Sequence, residues 1–185
     1  SKLPIYKYTN SDGADISSTS TALTTATINS NKYWYLKFTG SGNLTFENIN
    51  NLTSDKIDVF AVGSGAGGRT SVNSCGAQAA GGGNFSISES PVAISANQVY
   101  PIVVGAAVGT TGCNQKTGNT SSAFGVSAAG GSGKTSHSVC LFNQTGCEAI
   151  YGNFGTDNNQ NNNTGNGGTT AKGGMSGVVV VRGKL

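Results

Sequence analysis

Apolar and polar residues alternate in "KYWYLKF" (residues 32–38), with Trp34, Leu36 and Phe38 on one side and Tyr33, Tyr35 and Lys37 on the other. That period of two predicts a half-buried β-strand. "NLTF" (43–46) follows after Gly40-Ser41-Gly42, and the two runs are expected to form a hairpin. "IDVFAV" (57–62) is apolar on both sides apart from Asp58, the pattern of a central strand covered on both faces. "NFSIS" (84–88), "VYPIVV" (99–104) and "GVVVVRG" (177–183) complete the set, and Pro101 predicts an edge or a bulge in the "VYPIVV" strand. No stretch of ten or more residues carries a period of 3.6, so helix is expected to be nearly absent.

Between the strands lie glycine clusters: "VGSGAGG" (62–68), "AGGGN" (80–84), "AAGGSG" (128–133), "GNGG" (165–168) and "GGMSG" (173–177). They recur without a fixed period, which excludes a solenoid of equal repeats. Without a Cβ, extended glycine-rich segments can lie side by side and hydrogen-bond laterally through their backbones. The clusters therefore predict a shared device, a set of extended struts of polyglycine-II type. The intervening stretches 69–79, 110–121, 134–151 and 155–164 are polar and unlike one another. Polar loops on a rigid support are where binding usually resides.

Composition narrows the classes. Glycine, at 29 of 185 residues, is far above the average share, but it does not fall every third residue and there are only 3 prolines, which excludes collagen. Six Tyr, seven Phe, a Trp and the apolar strands argue against disorder. Charged residues make up 10% of the chain and the net charge is +3, with the basic residues scattered singly. Neither a nucleic-acid partner nor an anionic membrane is expected from that balance. No apolar run is long enough to span a membrane as a helix, so membrane insertion is not expected either. "SKLPIYKY" reads as a processed or recombinant start, and a fragment of a longer protein is expected.

The four cysteines contain no C-x-x-C pair, which makes a zinc site a poor reading. Disulfides in polar loops suit a protein working outside a cell. Cys140–Cys147 as a local staple with Cys75–Cys113 is one of three connectivities, and free thiols are the alternative. Six N-x-[ST] sequons, at Asn43, Asn51, Asn84, Asn119, Asn143 and Asn162, arise by chance in so Asn-, Ser- and Thr-rich a chain.

Two nucleotide-binding patterns occur, and both fail in context. "GSGAGG" (63–68) follows a strand, but "RTSVNSCGAQAAGGGN" offers no helix to face a pyrophosphate. "AAGGSGKT" (128–135) has Ala128 in place of the first P-loop glycine, with a poor strand before it and a poor helix after it. His137 lies three residues before Cys140, where a loop histidine beside a disulfide accounts for it better than a nucleophile pair does. Nothing marks two of the eight carboxylates as catalytic partners. Asp157 and its Asn neighbours lack the glycine and closing glutamate of a calcium loop. Neither a metal nor another cofactor is expected, and an enzyme is not.

The ordered series "LKFTGSGNLTF", "IDVFAVGSGAGG", "GGGNFSIS", "NQVYPIVVGAAVG", "TSSAFGVSAAGGSG" and "GGMSGVVVVRG" resembles the glycine-rich C-terminal domain of bacteriophage tail-fibre and tail-tip adhesins, over about residues 30–185. The resemblance implies an all-β fold: a small jelly-roll-like β-sandwich joined to polyglycine-II-type segments, with long polar loops. It places residues 31–185 in one glycine-rich β domain and leaves 1–30 as an N-terminal strand layer or a linker from a fibre shaft. It implies a virion-borne tip that contacts a bacterial surface glycan or outer-surface protein, attached to the remainder of a tail fibre. A homotrimer is one arrangement such a fibre allows. The loop residues expected to make contact are Arg69, Asn73, Asn114, Lys116, His137, Phe142, Asn143, Tyr151, Phe154, Asp157, Asn158 and Asn159. Asn, Ser and Thr suit sugar hydroxyls, and an aromatic ring can stack on a pyranose. A structural cap or trimerisation domain is the alternative, and a glycan-degrading tail enzyme a more distant one.

Overall fold

A computed structural model describes residues 2–71, 75–110 and 112–185. Eleven strands follow one another: β1 Ile5–Thr9, β2 Thr21–Ile28, β3 Asn31–Phe38, β4 Gly42–Asn48, β5 Lys56–Val62, β6 Phe85–Ile87, β7 Val92–Ala93, β8 Val99–Val103, β9 Ser121–Ala123, β10 Val126–Ala128 and β11 Val178–Lys184. They form two sheets, one ordered β1-β4-β8-β9-β10 and the other β2-β3-β11-β5-β6, with β7 also pairing β5. The strand pairs are antiparallel. The fold is all-β, a sandwich with one four-residue helical turn (Ser17–Ser20) and two 3-10 turns among the described residues.

Alternation sets the core. Trp34, Leu36 and Phe38 point between the sheets and meet Tyr8, Leu44, Phe46, Val59, Ile102, Val179 and Val181 in one buried cluster. The opposite face of the second sheet is buried too: Tyr35, Phe60, Val62, Val178 and Val180 pack against Val139, Phe142 and Tyr151. Double burial is why β5 and β11 read as continuous apolar runs. The layer outside the second sheet is not another sheet but the 137–151 loop, folded back over it.

The expected hairpin between residues 32–38 and 43–46 does not form. β3 and β4 lie in different sheets, and the Gly40-Ser41 link carries the chain across the sandwich. The hairpin partner of β3 is β2, through a two-residue turn in which Asn29 and Ser30 both have positive φ, 49° and 68°. That is the hairpin turn whose twist matches the flanking strands. Residues 121–128, weak as a strand by sequence, form the short β9–β10 hairpin around Phe124 and Gly125. Residues within 1–30 supply β1 to one sheet and β2 to the other. Pro101 lies opposite Asn43 of β4, and β9 pairs only Ile102 and Val103, so the missing N–H of Pro101 breaks no ladder on that side.

Most glycine segments continue a strand, whereas 165–168 is held between struts, Gly168 donating to Ala66 O and Gly165 accepting from Gly83. β5 runs into 63–69, β8 into 105–108 and β10 into 129–133, while 78–84 leads into β6, 116–119 towards β9 and 172–177 into β11. Residues 63–69 are the axis. The amides of Gly63, Ala66 and Arg69 donate to the carbonyls of Asn84, Gly81 and Gln78, at 3.0, 2.9 and 2.7 Å. Those of Ser64 and Gly67 donate to Asn119 and Lys116 at 2.9 and 2.8 Å, and those of Gly65 and Gly68 to Met175 and Lys172 at 2.9 and 2.8 Å. Three neighbours are served in rotation, each acceptor three residues before the last. That is the three-residue turn of an extended polyglycine-II helix with antiparallel partners.

The close spacing explains the glycines. A Cβ at Gly63, Gly65, Gly83 or Gly118 would sit closer than 3.0 Å to the backbone of Ala129, Asn166, Gly63 or Ser64. None of these four has positive φ, so they serve lateral approach and not turn geometry.

Replacing Gly65 by Ala should destabilise the domain by about 3 kcal/mol or more, since only backbone could move to admit the methyl. Gly109→Ala, where nothing lies within 4 Å, should be close to neutral; denaturant midpoints compare the two. Burial raises the Tyr8 hydroxyl above its ordinary value of 10.0. The fold therefore favours the neutral phenol, and its contribution is whole below pH 10.0 and is lost as pH rises beyond it. Stability should fall on going from about pH 9 to about pH 11, and Tyr8→Phe should lessen the fall.

Candidate functional site

The directions of the struts place the turns. Segments 63–69, 105–108 and 129–133 leave the sheets, and 78–84, 116–119 and 172–177 return, so the described residues of the two turns between them, 70–71 with 75–77 and 109–110 with 112–115, lie at the end remote from the sandwich. Cys75–Cys113 joins these two turns, with Cα atoms 5.5 Å apart across a separation of 38 residues. Cys140–Cys147, a separation of 7 residues, closes a short ring within the loop that covers the second sheet. The longer closure removes more freedom from the unfolded chain.

Beside the struts runs an open groove of about 620 Å³ between residues 148–153 and 156–166. Its wall is built by asparagine side chains in place of an apolar core. Asn159 Nδ2 donates to Phe154 O at 3.1 Å, while its Oδ1 accepts the Thr156 amide at 3.0 Å, which caps the Asp157–Asn159 turn. Asn166 Nδ2 reaches Asn159 O at 2.7 Å, and its Oδ1 accepts the Asn153 amide at 2.9 Å. Asn163 Nδ2 ties the loop back to Gly177 O and Thr39 O at 2.8 and 3.1 Å. Asn158, Asn161 and Asn162 also line the groove, are exposed, and among the described residues make no side-chain hydrogen bond. Each presents an uncharged donor and acceptor to solvent. Lys37 and Glu148 add one charge of each sign to the lining.

The expected contact residues separate into groups. Asn158 and Asn159 stand in the groove, and Asp157 lines an adjoining cleft of about 400 Å³ with Thr169, Thr170 and Lys172. Arg69, Asn114 and Lys116 belong to the remote end; the Arg69 backbone pairs with Gln78 in both directions, and Asn114 and Lys116 are exposed. Asn73 lies outside the described residues. Asn143 is exposed on the capping loop, and Phe154 is half-buried with its amide donating to Ser136 Oγ. His137 is half-buried, its Nδ1 3.2 Å from Gly82 O and its amide donating to Gly152 O.

Phe142 and Tyr151 require correction. Their exposures are 8% and 6%, and they pack Phe60 with ring centroids 5.5 Å away in each case, so they close the outer face of the second sheet and do not stand out from the loop; Tyr151 adds to the groove lining only what its 6% exposure leaves. Phe142 also stacks on the Arg182 guanidinium, which lies 4.2 Å from its ring and 4.3 Å from that of Tyr33. Arg182 in turn donates from Nε to Asp58 Oδ2 at 2.9 Å, across the β5–β11 ladder. Burial raises the Tyr151 hydroxyl above its ordinary range. Asn161 and Asn162 were missed by the sequence reading because an asparagine run does not distinguish side chains that brace a loop from those that face solvent.

The nucleotide patterns dissolve in the same geometry. All six amides of residues 63–68 donate to neighbouring struts, and Gly131 donates to Ser64 O, so these amides are not free to cradle a phosphate. Cys140 is bonded to Cys147 and is no nucleophile. No group of three or more His, Cys, Asp or Glu that could hold a metal is found among the described residues.

Phe142→Ala should cost about 3 kcal/mol in unfolding free energy by opening the outer layer. Asn158→Ala should change stability by less than about 0.5 kcal/mol, as an exposed residue without partners does. Comparisons with protein-family models, curated proteins and solved structures give no match for this chain.

Proposed function

We propose that this chain is the receptor-binding tip of a bacteriophage tail fibre, which recognises a bacterial surface glycan or outer-surface protein by contact and not by chemistry. The observation that carries the reading is the groove, where Asn158, Asn161 and Asn162 hold unpaired amides towards solvent on a loop tied to the glycine struts. Uncharged groups that donate and accept match hydroxyl-rich ligands, and a rigid support lowers the entropy lost on binding. Ordered glycine segments supporting dissimilar loops agree with the resemblance to tail adhesins. Disulfides at Cys75–Cys113 and Cys140–Cys147 suit an extracellular setting.

Binding of the labelled chain to a panel of bacterial cells tests this reading. At least one host should bind it, and the triple change Asn158→Ala, Asn161→Ala, Asn162→Ala should weaken binding at least tenfold at an unchanged melting temperature. Failure to bind any cell, with intact fold, would overturn the assignment. Binding untouched by the triple change would move the contact away from the groove.

A further inference from the structure

Next to the groove, a smaller pocket of about 180 Å³ opens between the free edge strand β2 and the stapled loop 140–147. Ala26 and Ile28 form one side, Leu141 and Gln144 the other, and Tyr35 and Val180 of the second sheet its floor. Two polar groups here have no partner. Tyr35 is 4% exposed and its hydroxyl is unpaired, and Gln144 Nε2 is likewise buried and unpaired. A native interior rarely leaves such groups unmet, because each has given up water for nothing.

What would satisfy them follows from their chemistry. Both can donate, and a carbonyl oxygen has two lone pairs to receive them. Ala26, Ile28, Leu141 and Val180 supply methyl and aliphatic surface that suits a small apolar tail, and Thr24, Lys37 and Tyr151 complete the lining. The volume is below the roughly 300 Å³ where pockets for whole small-molecule ligands begin, so one functional group enters and the rest of the ligand lies elsewhere. Lys37 and Tyr151 line both this pocket and the asparagine groove, so the rest of the ligand continues there.

We infer that the pocket seats the acetamido group of an N-acetylhexosamine, with the sugar hydroxyls and the next residues of the glycan lying in the asparagine groove. The carbonyl accepts from Tyr35 and Gln144, and the methyl rests on Ala26, Ile28, Leu141 and Val180. Both donor atoms are closed off from solvent in the free chain, so the Gln144 side chain must turn to admit the carbonyl. This rests on the glycan form of the adhesin reading and adds the sugar class to it.

The test is titration calorimetry and saturation-transfer NMR on the intact chain. The probes are methyl glycosides of N-acetylglucosamine and N-acetylgalactosamine, with methyl glucoside, galactoside and glucuronide as counterparts. At least one acetamido sugar should bind ten or more times tighter than its hydroxyl counterpart, with strongest transfer to the acetyl methyl. Tyr35→Phe keeps the ring and its packing and should weaken that sugar about tenfold, the worth of one neutral hydrogen bond. Ala26→Leu, which fills the pocket from an exposed edge position, should abolish the preference without lowering the melting temperature. Equal binding of acetamido and hydroxyl sugars would overturn the inference, as would tighter binding of the glucuronide. A Tyr35→Phe chain that gains stability and keeps full affinity would show only a packing void, and would overturn it too. If cells bind through the groove while acetamido sugars gain nothing, the pocket inference falls and the adhesin reading stands. If acetamido sugars bind and no cell does, the adhesin reading falls instead.

Discussion

Everything beyond the sandwich depends on peptide backbones approaching one another without side chains between them. The segment 63–69 has its carbonyls and amides enclosed, with residues 61–68 all buried, and nothing there except neighbouring backbones can satisfy them. Rotation of the donors about the strut, one neighbour for each third residue, answers that demand in three directions at once. A β-ladder answers it in two. The strands can therefore pass directly into the struts, because the backbone stays extended and only the hydrogen-bonding directions change.

The second sheet links this frame to the loops. Its inner face holds the sandwich core, and its outer face is closed by the 137–151 loop through Val139, Phe142 and Tyr151. Tyr33, Arg182 and Phe142 form a stacked column at that outer face, with Asp58 neutralising the guanidinium from the neighbouring strand. A loop that looks polar along the chain is thus anchored by three or four apolar residues. Its remaining positions, with the groove beside them, are free to vary in chemistry without disturbing the sheets.

Alternation in residues 32–38 and double-sided burial in 57–62 and 178–181 were legible because each reports a face directly. The glycine clusters were legible as struts because a chain has few other uses for adjacent glycines inside a folded body. β2 was not legible: "TALTTATI" has its outer face and free edge in solvent, so only Leu23 and Ile28 record its packing. The misplaced hairpin has a similar cause. Gly40-Ser41-Gly42 marks a change of direction, and a turn within one sheet and a crossing between two sheets use the same residues. Phe142 and Tyr151 were assigned to contact because sequence shows that a loop is polar, and not which surface it is folded against. The Tyr35 hydroxyl stood out only in three dimensions, where its lack of a partner is defined by what surrounds it.

A lattice of peptide groups also alters how the domain responds to temperature. On unfolding, apolar surface adds about 0.45 cal/K/mol per Å² to the heat capacity, whereas polar surface subtracts about 0.26. The sandwich behaves as an ordinary core in this respect. The struts release mainly amides and carbonyls, which work against that increment. Per residue the heat-capacity change is therefore smaller than in a domain filled by side chains, and the stability curve is flatter. A domain supported in this manner keeps its shape over a wide thermal range without needing a deep free-energy minimum at any one temperature.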